Sequence, residues 1–179
     1  MKKNIIIAIL LLANPNLFAQ VNIDYDTCNY LQQYAGEWKH INGQDTIRIY
    51  FRSLRTKSNE FNYINDRLWG WVEYKRGNTI IESNYQNRFD SIPYISRNYD
   101  FSKYSIRISL ANCDNNTVNN PLVGRIRDSL QAGELHIVKA TLDPTKTIMT
   151  WTQSHSECYG ALTGAIGMTF PTNFVLIKQ

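Results

Sequence analysis

Three histidines and three cysteines are the side chains best suited to hold a metal or carry a nucleophilic step, so their spacing comes first. His40, His136 and His155 lie far apart along the chain. His155-Ser156-Glu157-Cys158 sets a histidine three residues ahead of a cysteine, which suits zinc. A structural zinc site wants about four such ligands, and the other candidates are scattered. There is no Gly-x-Ser-x-Gly elbow, no glycine-rich phosphate loop, and no cysteine–histidine partnership beyond that pair. Aspartates and glutamates are unclustered, which leaves paired-carboxylate chemistry unsupported. The sequence assigns no catalytic residue, no metal and no cofactor, and it predicts a protein that is not an enzyme.

Aromatic side chains are the more suggestive set. Trp69 and Trp71 share one face of a strand-like run, Trp151 sits in a late run, and Tyr104 heads a cleanly alternating one. Turned inward, those faces would form a pocket for a small, partly apolar ligand. The alternatives are a solid core or a cover on the outer wall. Arg48, Arg52, Arg107, Arg125 and Arg127 alternate with apolar residues and read as a solvated outer face. A cluster of them inside would instead suit an anionic ligand.

The chain that must position these groups has 179 residues, which suggests one domain. Its start reads as a secretory leader. Lys2 and Lys3 precede an apolar run from Ile5 to Ala13, and Leu17-Phe18-Ala19 ends on a small residue, predicting cleavage after Ala19. Asn14-Pro15-Asn16 interrupts the run well short of the roughly 20 residues that a membrane span needs, so no span is expected after cleavage. The single domain is then residues 20–179, secreted or periplasmic. Loss of two lysines takes the net charge from +4 to +2, and with no basic run nucleic acid is not an expected partner. In an oxidising compartment one disulfide is expected among Cys28, Cys113 and Cys158. All three pairings are open. Cys113 and Cys158, each a few residues past a strand-like run, are preferred, with Cys28 as the spare thiol.

Asp24 to Ala35 reads as a short helix, with Asp24 or Asp26 to cap it and Gly36 to end it. Beyond it the period is two. Strands are expected over Ile47–Arg52, Leu68–Lys75, Thr79–Ser83, Tyr104–Leu110, Leu122–Arg127, Glu134–Leu142, Thr147–Gln153 and Asn173–Lys178. Turns are marked by Gly77-Asn78 and by Asp143-Pro144-Thr145-Lys146. Asn84–Lys103, aromatic among charges, and His155–Thr169, rich in glycine, fit neither pattern. The sum is an all-β chain of about eight to nine strands, an antiparallel barrel or sandwich.

Gly36-Glu37-Trp38, between the short helix and the first strands, resembles the Gly-x-Trp signature that opens lipocalin barrels. The whole mature chain looks like a group of small secreted bacterial lipocalin-like proteins of unknown function. The resemblance implies an up-and-down barrel with Trp38 packed across its closed end, a structural role that Gly36 and Trp38 share. Asp100-Phe101-Ser102-Lys103-Tyr104 is similar to the second lipocalin signature, although too many strand-like runs follow it. The late arginine that covers the tryptophan is missing, and Lys178 stands near its place without arginine's planar head. The expected function is non-catalytic binding of a small apolar ligand inside the barrel. The alternative is an interaction module that binds a protein or glycan through the outer surface or the Asn84–Lys103 segment.

Overall fold

A computed structural model describes residues 22–58, 63–91, 105–109, 121–128, 134–154 and 169–179. The expected leader and cleavage point, Tyr104, Cys113, His155, Cys158 and the Asp100–Tyr104 signature lie outside the described residues. In chain order the elements are β1 (Asn22–Asp24), α1 (Tyr30–Tyr34), β2 (Gly36–Asn42), β3 (Asp45–Ser58), β4 (Tyr63–Arg76) and β5 (Thr79–Ser83). A 3-10 turn (Tyr85–Phe89) follows, then β6 (Ile106–Ser109), β7 (Leu122–Asp128), β8 (Glu134–Leu142), β9 (Ile148–Ser154) and β10 (Asn173–Lys178).

Eight of these strands close into an antiparallel up-and-down barrel. The sheet runs β4-β3-β2-β10-β9-β8-β7-β6, and β6 returns to β4. The seam between last and first strands is β10 on β2, with Lys178 opposite Trp38. Closure removes the unpaired edges that an open sheet would leave. β1 and β5 are additions outside the barrel path. β1 runs parallel to the start of β4, and β5 continues the hairpin after Gly77-Asn78.

Alternation decides what each strand buries. Trp38, Ile47, Ile49, Phe51, Leu68, Val72, Ile106, Ile108, Leu122, Ile126, Val138, Ala140, Met149, Trp151, Phe174 and Leu176 form one core. Most of them expose nothing, either to solvent or to any internal space that a water could enter. Trp151 stacks on Phe174 at 5.9 Å and lies 6.4 Å from Phe51. Gly70 is part of this packing, because a Cβ there would stand 2.8 Å from both the Phe51 ring and Ile106.

The helix is shorter than the sequence predicts, five residues preceded by a strand. Asn29 takes the left-handed conformation (φ 53), so the helix begins only after it. Asp26 does cap it: one carboxylate oxygen accepts Tyr30 N–H and the other Leu31 N–H, each at 2.8 Å. Leu31 and Tyr34 then plug one end of the barrel. At Gly36 the chain turns into β2 with φ +114, which L side chains rarely adopt, so the signature glycine has a backbone reason.

Trp38 completes this closed end. Its indole N–H donates to Tyr34 O at 2.8 Å, satisfying a carbonyl left over at the helix end. Lys178 Nζ donates to Gln33 O at 3.2 Å and stands 5.2 Å from the Trp38 ring centre. The lysine therefore occupies the covering position through a cation–π contact instead of guanidinium stacking. Among the described residues no helix is long and apolar enough to cross a membrane.

Candidate functional site

The four residues expected to line an inner pocket separate. Trp151 is inside, within the filled core. Tyr104 lies outside the described residues. Trp69 and Trp71 are on the opposite face from Leu68 and Val72, facing outward, yet each is only 1% exposed. Trp69 and Trp71 therefore do not line the barrel interior, and Trp151 packs inside it among other core side chains. The physical reason lies in β4 itself: its smaller aliphatic residues and Gly70 fit the interior, leaving the two indoles to the outer wall.

What covers those indoles is a folded-back segment. Along β4, backbone groups pair with β6 through Arg67–Gly70 and with β5 through Glu73–Arg76, leaving a gap between. Asn84 fills it. Its Oδ1 accepts Val72 N–H at 2.9 Å, its Nδ2 donates to Ser105 Oγ at 2.7 Å, and its own N–H donates to Val72 O at 3.0 Å. The side chain thus takes the part of a missing strand residue, and the 3-10 turn that follows lies over the outer face of β3 and β4.

Tyr50 on β3 is the hub of this face. Its ring lies 5.5 Å from Phe89 and 6.5 Å from both Trp71 and Tyr85. Arg88 stacks on Tyr85 and Phe89, 4.4 Å from each ring centre, and donates to Tyr85 O at 3.0 Å. Arg52 stands 5.6 Å over Trp71 and donates to Arg88 O and Asp90 O, both at 2.9 Å. Arg48 bonds Glu37 through Nε and Nη2 at 2.9 and 2.7 Å and reaches Glu73 at 3.3 Å. Phe89 is 66% exposed beside these cations.

Titration keeps this network in one state near neutrality. Burial, aided by the Glu37 carboxylate, pushes the Tyr85 phenol up to about 12. Burial alone would raise Glu37, but bonds from Arg48 and Tyr85 hold it below the usual carboxylate range.

The expected outer-face arginines do lie on the outer wall, but Arg48, Arg52, Arg107 and Arg127 are half-buried and only Arg125 of the five is exposed. Tyr50, Tyr85, Arg88 and Phe89 were not singled out as site residues. Their signal was the run of aromatics among charges after Asn84, which marked a region without giving its fold. His40 bonds Val175 O through Nδ1 at 2.8 Å, and His136 is buried on the inner face. Among the described residues, no three His, Cys, Asp or Glu side chains stand close enough to share a metal ion.

Cys28, expected as the spare thiol, places its Sγ 3.3 Å from an Asp26 carboxylate oxygen. Cys113 and Cys158, the expected disulfide pair, lie outside the described residues. A separate groove of about 280 Å³ opens at the plugged end between α1 and the β8–β9 turn, lined by Tyr30, Gln33, Tyr34, Leu142, Asp143, Pro144 and Lys146. It lies outside the barrel interior and falls just under the usual size of small-molecule sites.

No curated protein and no solved structure matches the chain. A family model does, over residues 1–179, and its description is a family of unknown function, DUF6705. A closed eight-stranded barrel with an arginine–aromatic outer wall therefore belongs to the DUF6705 family.

Proposed function

We propose that this is an exported, lipocalin-like barrel that acts by binding a macromolecular partner, a protein or glycan, without chemistry, and that its binding face is the outer wall around Tyr50 and Phe89. The observation that carries the reading is a contrast in exposure. Phe89 is 66% exposed beside Arg52 and Arg88, whereas Trp38, Met149 and Leu176 inside expose nothing. Arginine and aromatic residues are enriched where proteins bind partners. A small apolar ligand inside the barrel is the weaker reading, because it would have to displace core side chains.

The glycine at Gly36, the plug helix and the Trp38–Lys178 contact support the lipocalin-like assignment. The lysine-led apolar start supports export to the periplasm or beyond the cell. The test is a photo-crosslinking residue placed at Phe89 or, as a control, at Ile177 on β10, two strands round the barrel from β3 and 56% exposed. In the producing cells, discrete adducts at 89 and none at 177 are expected. Equal adducts at both, or none at 89, would remove the wall as the binding face.

A further inference from the structure

Arg52 and Arg88 form no ion pair among the described residues, in contrast to Arg48, Arg55, Arg76 and Lys75. Their bonds go to carbonyl oxygens of the 3-10 turn, and Asp90, whose carbonyl accepts from Arg52, gives its carboxylate to neither. Beneath Arg52 the Trp71 indole N–H is buried with no acceptor among the described residues. Buried donors are nearly always paired, so an orphan N–H beneath Arg52, with Arg88 likewise bonded only to carbonyl oxygen, marks a place short of a carboxylate acceptor.

Resting on the wall reading above, we propose that this face docks an acidic segment of a protein partner. Its Asp or Glu carboxylate would meet the Arg52 and Arg88 guanidiniums, and an adjoining apolar side chain would lie on Phe89. The guanidinium fork matches a carboxylate, with two parallel donors for two oxygens. A protein segment fits better than an acidic sugar. Sugars stack on broad open ring faces, whereas Trp71 and Tyr85 are buried and Arg88 covers one face of Phe89 at 4.4 Å.

A displayed library of random heptapeptides, presented to the full mature chain, tests this. Retained peptides are expected to be enriched in Asp or Glu next to an apolar residue. The best of them should bind about tenfold more weakly to R88Q, while R125Q, at an exposed position on β7, binds as the parent does. Binding to the unaltered chain should also fall as salt rises from about 50 to about 500 mM. That readout needs no substitution and stands even if R88Q loosens the turn. Enrichment of neutral or basic peptides, or binding indifferent to both salt and R88Q, would overturn the proposal. So would retention of polygalacturonate without any acidic peptide, which would identify an acidic glycan instead. Either result alongside adducts at Phe89 removes the acidic segment and leaves the wall reading intact, so the two failures are distinguishable.

Discussion

Trp38 and Trp151 are no more deeply buried than Trp69 and Trp71, but the two pairs are covered by different means. Inside, the closed ladder does the covering, and Trp38 N–H has an acceptor at 2.8 Å. Outside, a five-residue turn and arginine side chains do it, and Trp71 N–H has none among the described residues. Long cationic side chains can shield apolar surface while keeping their charged heads available. The inner pair is therefore covered by the barrel's own ladder, and the outer pair by a short turn and two guanidiniums.

The largest effect that could break this comparison is at the closed end. Trp38→Ala should cost about 3–5 kcal/mol of stability in urea denaturation, since it empties a core position and frees Lys178. A loss under about 1 kcal/mol would mean that Trp38 is not what closes the barrel.

Phenylalanine sharpens the contrast between the pairs. Trp38→Phe removes a donor that Tyr34 O needs, whereas Trp71→Phe removes one that has no acceptor among the described residues. The first should be less stable than the second by about 1–2 kcal/mol. Equal losses would show that the outer N–H is satisfied in solution. Asp26→Ala, which uncaps the plug, should cost about 1 kcal/mol and leave R88Q-sensitive binding unchanged.

Smaller still is a pH effect confined to the β8–β9 turn. Asp143 accepts bonds from Thr145, Ile148 and Thr147, the Thr145 hydroxyl first, and these hold its carboxyl down at about 2 against an ordinary 3.8. A depressed carboxylate stabilises the fold above its unfolded pKa and stops doing so as pH falls through the folded one. The Tm advantage of the parent over Asp143→Asn should thus be constant above about pH 4 and shrink toward pH 2. An advantage that persists at pH 2 would assign the turn's stability to something other than this charge.

Much of the barrel was legible because its strands carry apolar residues at every second position. β8 and β10 match their expected ranges, as does β5 after Gly77-Asn78. β3 and β4 run longer than expected, since their ends lie on polar residues such as Arg55 and Asp66 that pair beyond the barrel. β2 was missed as a strand because its inner face reads Gly36, Trp38 and His40, with one apolar side chain among three. The site was less legible than the fold. Alternation shows that Trp69 and Trp71 share a face but not which way it points, which depends on how β4 packs at Gly70. Asn84 acting as a substitute strand residue leaves no local pattern to read.

Whether the interior is closed to ligands decides the account most directly, and native mass spectrometry of the chain purified from its own host measures it. The account predicts the mass of the bare polypeptide. A small molecule retained one to one, and released only on unfolding, would contradict it.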